Sequence, residues 1–323
     1  MSPVPERHTT PDPQAAWILD LVKASGRDPY HRMTPADARR MFDEVVVLLD
    51  LPRAELAVVR DLALPGPAGD MAVRLYRPEP LTLEAAPLPA LLFIHGGGWT
   101  IGSLDAYDRL CRHVAAAAGI AVVSLDYRLA PEHPFPAAAE DAIAAWGALL
   151  RAAGDFGIDP ERVAIGGDSA GGNLSAVAAL AARDAGLAMP RLQWLIYPAT
   201  DLAVRHPSRD VFAEGYLLDD ATITWFLAQY LPDPALARDW RASPLHAPDH
   251  RGLPPALIVT AGCDPLADEG HAYAAALRAA GVAVEHRVYP GMLHGFINTA
   301  GALDQARDAV ARSVDALKVA LRG

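Results

Sequence analysis

Apolar residues recur along this chain at two different spacings, and the change from one to the other organises it. Residues 1 to about 50 read as helices: PQAAWILDLVKASG and TPADARRMFDEVVVLLD both space apolar side chains at helical intervals. Thr34, followed by Pro35 and Asp37, is a start signal for the second. In ELAVVRDLALPGPAGDMAVRLYRPE, two alternating or β-branched runs flank a Pro/Gly turn, which predicts a β-hairpin. The rhythm then becomes strand, loop, helix. LPALLFIHG, GIAVVSLDYRL, RVAIGGD, RLQWLIYPAT, PPALIVTAGCD and VAVEHRVYPG are short continuous apolar runs. The stretches PAAAEDAIAAWGALLRAAG, AGGNLSAVAALAARDAG, DEGHAYAAALRAAG and ALDQARDAVARSVDALKVALRG read as helices, with Gly154 the expected C-cap of the first. Continuous apolar runs are strands buried on both faces. The expected fold is therefore α/β, a mostly parallel central sheet with helices on both faces, made mixed by the edge hairpin.

One segment interrupts this rhythm. Between Asp201 and about His246 no clear strand is legible, and GYLLDDATITWFLAQYLPDP reads as an amphipathic helix with large apolar side chains. An insertion just after a strand's C-terminal end lies where such sheets bind ligands. It is read as a helical cap, residues 201–246, completed by N-terminal helices 1–50, over a core formed by 51–200 and 247–323. The same stretch could also be an ordinary surface insertion.

Composition narrows the function. The 323 residues are 52% hydrophobic and 21% charged, which supports a sizeable core. A net charge of -11 argues against nucleic acid or an anionic membrane face as the main partner. Cys111 and Cys263 form no CxxC pair, so neither a zinc ribbon nor a disulfide framework is suggested. The start MSPVPERHTTPDPQ lacks the apolar core of a secretory signal, and no run reaches the roughly 18 apolar residues of a membrane span. A soluble cytoplasmic protein is expected.

Candidate chemistry lies in the loops after the strands. Gly167-Asp168-Ser169-Ala170-Gly171 fits G-x-S-x-G between a strand and a helix. A sharp turn there would lift the Ser169 hydroxyl above the sheet, as a nucleophile requires. Ile94-His95-Gly96-Gly97-Gly98-Trp99 follows LPALLF directly. A glycine run lets backbone N–H groups approach a developing oxyanion, and the N–H of Ala170 would add a third donor. A phosphate loop would need G-x-x-x-x-G-K-[ST], which is not there. For a general base the sequence favours His294, late in the chain and beyond the run VAVEHRVYPG. His286 sits within that run, and His271 on a helix. His246 and His250 are four apart with Pro248 between them and no HExxH glutamate, so zinc is improbable. Asp264, after PPALIVTAG, is the preferred acid. Asp201 is its rival, and Asp268 and Glu269 read as first-turn residues favoured by a helix dipole.

HGGGW at 95–99, YRLAPEHPFP at 127–136, GDSAGG at 167–172, DPLADE at 264–269 and HGF at 294–296 resemble the hormone-sensitive lipase family of esterases over about residues 70 to 298. The resemblance implies a triad of Ser169, Asp264 and His294, and an oxyanion hole of the Gly97, Gly98 and Ala170 N–H groups. It implies support from His95 and Trp99. It also implies short- to medium-chain carboxylic esters as substrates, no cofactor, and frequent dimerisation. Trp99, Tyr216, Leu217 and Leu218, with Trp225 and Phe226, are the candidate walls of the acyl pocket; core packing within the cap is an equal reading of the last two. Two rival functions are an amidase or peptidase using the same triad, and a ligand-binding protein on a hydrolase fold.

Overall fold

The run Leu91-Leu92-Phe93-Ile94 shows why the centre of this protein is a parallel sheet: all four side chains are buried, alternately on opposite faces. In the computed structural model, which describes residues 9–82 and 86–322, this run belongs to β3 (Leu88–Ile94). Residues 1–8, most of the polar start weighed above as a possible leader, and Gly323 lie outside the described residues. The hairpin strands are β1 (Val58–Gly66) and β2 (Gly69–Arg77), joined through Pro67 and Ala68. The remaining strands are β4 (Ala121–Leu125), β5 (Ile158–Asp168), β6 (Gln193–Ile196), β7 (Ala256–Cys263) and β8 (Val284–Leu293). Their order is β1-β2-β4-β3-β5-β6-β7-β8. Only the β1–β2 and β2–β4 pairs are antiparallel, so the sheet is mixed at the edge where the hairpin was expected.

Helices α1 (Pro13–Ser25), α3 (Asp108–Ala118) and α10 (Asp304–Ala320) cover one face, together with Leu91, Phe93, Trp194 and Val259. Helices α4 (Ala137–Arg151), α6 (Ala170–Asp184) and α9 (Ala267–Ala279) cover the other, with Leu92, Ile94, Ile165 and Leu195. Helix α2 (Pro35–Val46) starts at the expected cap, where Thr34 Oγ1 accepts from the Asp37 N–H at 3.2 Å. The expected C-cap at Gly154 is not one. Helix α4 ends at Arg151, and a short helix, α5 (Ala153–Phe156), contains Gly154. The left-handed residue is Gly157, at φ 61°, which caps α5, so the backbone conformation selects the later glycine.

The stretch after β6 holds α7 (Pro207–Val211), α8 (Asp220–Tyr230) and two short 3-10 turns. The helix is shorter than its apolar pattern suggested, because Asp219 caps it by accepting from the Thr222 N–H at 2.7 Å. Thr222, Ile223, Phe226 and Tyr230 form its buried face. Phe226 packs with Ala38 and Ile101, and Tyr30, Met33 and Leu218 close around them. Insertion and N-terminal helices thus meet beside the loop that follows β3. Among the described residues no helix is long and apolar enough to cross a membrane.

Candidate active site

Strand order decides where the site lies. The chain leaves β3 for β4 on one side, then returns past β3 to β5 on the other. The carboxyl ends of β3 and β5 therefore flank the crevice where the winding reverses, and the two glycine-bearing loops emerge there.

Ser169 occupies the turn between β5 and α6 at φ 53°, ψ -115°, a strained conformation for a residue with a side chain. The flanking glycines make the turn possible. A Cβ on Gly167 would lie 2.1 Å from the Ile94 carbonyl oxygen, and one on Gly171 would lie 1.9 Å from the same atom. The elbow is pressed against the end of β3, which brings the loop 95–102 beside the serine.

His294 follows β8 and reaches the serine: its Nε2 lies 2.9 Å from Ser169 Oγ. Its Nδ1 lies 2.8 Å from Oδ2 of Asp264, whose other oxygen accepts from the Leu266 N–H at 2.7 Å. Asp264 is fully buried, and His294 keeps a small exposed edge. The three residues joined here are those the sequence singled out. The rival, Asp201, is committed elsewhere: it accepts from His206 Nε2 at 2.9 Å and His246 Nε2 at 2.8 Å. Burial opposes its ionisation, but these hydrogen bonds more than offset that and hold its carboxyl at about 2. His250 Nε2 instead donates to the Pro244 carbonyl, and His286, inside β8, pairs with Thr260 and packs on His271.

The loop after β3 turns through Gly97, Gly98 and Trp99, all at positive φ. Gly97 and Gly98 are partly exposed, as are Ser169 and His294. Ala170 opens α6, where the first N–H groups have no partner within the helix. His95 is buried with Nδ1 donating to the Gly96 carbonyl at 2.8 Å, its ring stacked on Tyr127. Burial lowers it to about 4, which favours the neutral ring. Trp99 is also buried, stacked on Tyr230 at 4.2 Å. Phe226 lies directly against Gly98, where a Cβ would fall 2.3 Å from its ring. Leu218 joins the Phe226 cluster, whereas Leu217 is 43% exposed and Tyr216 donates its hydroxyl to the Thr9 carbonyl at 2.7 Å.

Several ties at this site have no signature in the sequence. Arg39 of α2 donates to the carbonyls of Thr100 and Ala130, both at 2.8 Å, and pairs with Glu132. Asp168 accepts from the Gly96 N–H and the Tyr107 hydroxyl. Asp268 and Glu269 do more than face a helix dipole: Asp268 accepts from the Ser208 N–H at 2.9 Å, and buried Glu269 accepts from the Thr200 N–H at 2.7 Å.

Comparison with known proteins agrees with this geometry. A family described as alpha/beta hydrolase fold matches residues 91–298. The carboxylic ester hydrolase LipN of Mycobacterium tuberculosis is 53% identical over 74% of this chain and 64% of its own length. The ethyl acetate hydrolase of Pseudomonas putida is 42% identical over 95% of this chain and 98% of its own. The solved structure of ester hydrolase EH1AB1, from the metagenome of Lake Arreo, superposes with a TM-score of 0.91 at 42% identity, covering 96% of this chain and 99% of that one. A mostly parallel sheet with a serine elbow at its switch point, and relatives of this identity, place the chain in the α/β-hydrolase fold family, among its carboxylic ester hydrolases of the hormone-sensitive lipase type.

Proposed function

We propose that this chain hydrolyses carboxylic esters of short to medium acyl length through an acyl-enzyme on Ser169. The observation that carries the reading is the relay from Ser169 Oγ through His294 to Asp264, at 2.9 and 2.8 Å. With the Nδ1 proton donated to Asp264, Nε2 keeps a lone pair for the Ser169 proton. Oγ then attacks the ester carbonyl, and the Gly97, Gly98 and Ala170 N–H groups receive the oxyanion. His294 returns the proton to the departing alcohol. Water, deprotonated by the same imidazole, frees the acid and restores the serine.

In this reading the N-terminal helices and residues 201–246 form the cap. Phe226 against Gly98, with Leu218 beside it, limits the acyl pocket, and Trp99 supports the loop from behind. Similarity to an ethyl acetate hydrolase supports short acyl groups, and the net charge of -11 fits a cytoplasmic enzyme without nucleic-acid partners. Phe226→Ala should raise kcat/KM for octanoyl relative to acetyl esters by about tenfold or more. An unchanged ratio would place the pocket elsewhere.

A fluorophosphonate tests the nucleophile directly, and EH1AB1 is itself described in complex with a phosphonate derivative. The probe should label one site, located at Ser169 by peptide mass spectrometry, and label nothing in Ser169→Ala. Absence of labelling in the folded wild type would overturn the proposal and favour a ligand-binding protein.

A further inference from the structure

The residue before the nucleophile is an acid that the reaction above leaves unused. Asp168 is 2% exposed, and three donors converge on its carboxylate. Oδ1 accepts from the Gly96 N–H at 2.8 Å, while Oδ2 accepts from the Tyr107 hydroxyl at 3.0 Å and the Tyr197 hydroxyl at 3.4 Å. Gly96 belongs to the loop that carries Gly97 and Gly98. The approach is close, since a Cβ on Gly96 would lie 2.6 Å from Asp168 Oδ2. The Tyr197 ring packs on the His294 imidazole at 4.6 Å. One carboxylate thus touches the loop of the oxyanion donors, adjoins the nucleophile in the chain, and reaches the ring that backs the base.

We infer that Asp168 is a positioning residue for ester hydrolysis: as an anion it fastens the Gly97–Gly98 loop to the elbow and, through Tyr197, steadies His294. This rests on the reading of Ser169 as nucleophile. Only the anion lets all three partners donate at once; a neutral acid would turn one of the tyrosine hydroxyls into an acceptor and loosen the convergence. Burial raises the Asp168 carboxyl to about 6, with hydrogen bonds from Tyr107 and Gly96 and the charge of His294 partly offsetting that. Cys111 and Tyr127 also interact with it, but burial raises both far above neutrality. Tyr197 further faces Asp264. His294 is therefore the neighbour whose changing charge Asp168 meets, and a buried anion there favours the imidazolium that forms as Ser169 attacks.

The test is steady-state hydrolysis of p-nitrophenyl butyrate from pH 5 to 9. Protonation of Asp168 is expected to add to the acid limb of log kcat, making it steeper in the wild type than one proton per pH unit. Asp168→Asn keeps the shape and loses the charge. It should lower kcat by about 10- to 100-fold, leave KM within about twofold, and reduce the limb to one proton. Wild-type kcat in Asp168→Asn, or a loss with the limb unaltered, would overturn the inference. If this variant does not fold, Tyr197→Phe serves: losing a donor to the anion should move the acid limb to higher pH, and an unmoved limb would overturn the inference equally. Ser169→Ala separates the two levels. A wild-type rate in it refutes the nucleophile; a Ser169→Ala reduced to its residual rate beside an unaffected Asp168→Asn refutes only the role of Asp168.

Discussion

Replacing Ser169 by alanine is expected to lower kcat for a p-nitrophenyl ester by about 10⁶-fold or less, with a residual rate still above that of water. The hydroxyl is the atom His294 Nε2 addresses at 2.9 Å, and removing it leaves the imidazole without a nucleophile to activate. The Gly97, Gly98 and Ala170 N–H groups remain, however, and can still bind the ester and polarise its carbonyl. The fold should survive. Ser169 is partly exposed, and the backbone bonds that hold the elbow run from its main chain, its N–H to the Ile196 carbonyl at 2.8 Å and its C=O from the Asn173 N–H at 3.0 Å. Thermal unfolding should scarcely move. A variant with the wild-type rate would mean that another group attacks the carbonyl.

Both the position of the elbow and its partners were legible in the sequence, for a local reason. A strand buried on both faces must be continuously apolar, and a turn pressed against β3 leaves no room for a Cβ at 167 or 171. Those demands fix residue types within a few positions, so pattern reading finds them. The sequence pointed to His294 and Asp264 because each stands just past an apolar run that reads as a strand. What pattern reading did not find depends on partners far away in the chain. Helix α3 was not separated from its surroundings: its buried face mixes Leu110, Cys111, Val114 and Ala115 with the charged pair Asp108 and Arg112, which breaks the apolar pattern along the chain. Gly154 and Gly157 look alike in sequence, and only the folded chain, in which Gly157 alone turns left-handed, tells them apart.

The long-range ties follow the same rule. Nothing near residue 39 announces that its guanidinium will reach the carbonyl of Thr100, and nothing near 168 announces Tyr107 or Tyr197. Asp168 also shows why such groups are hard to infer from stability alone. Its folded carboxyl, at about 6, lies above the ordinary 3.8, so the folded chain holds that proton more tightly. Stability from this group falls as pH rises from 3.8 to 6 and is constant above. The charged form that the inferred role requires is thus the one that costs the fold.

Asp264→Asn and Asp201→Asn, compared, test which acid serves the base. Asp264→Asn is expected to lower kcat by about 10⁴-fold. The direction follows from the second oxygen of Asp264. It accepts from the Leu266 N–H at 2.7 Å, so the oxygen of an asparagine amide would keep that bond and its NH₂ would face His294 Nδ1. An NH₂ there needs an acceptor, which forces the imidazole proton onto Nε2. Nε2 would then point a hydrogen at Ser169 Oγ and could not take its proton. Asp201→Asn leaves His294 untouched, because Asp201 serves His206 and His246 at the two ends of the inserted segment. Its kcat should stay within a few-fold of wild type, while stability at neutral pH falls by about 1–3 kcal/mol. The pH dependence gives a second check. Asp201 in the folded chain titrates at about 2, below its ordinary 3.8, so its contribution is complete above 3.8 and is lost as pH falls towards 2. Denaturant unfolding of wild type and Asp201→Asn should therefore differ at pH 7 and converge in acid. If Asp201→Asn instead abolished turnover and Asp264→Asn did not, the two acids would have to exchange roles, and the relay built on Asp264 would fail.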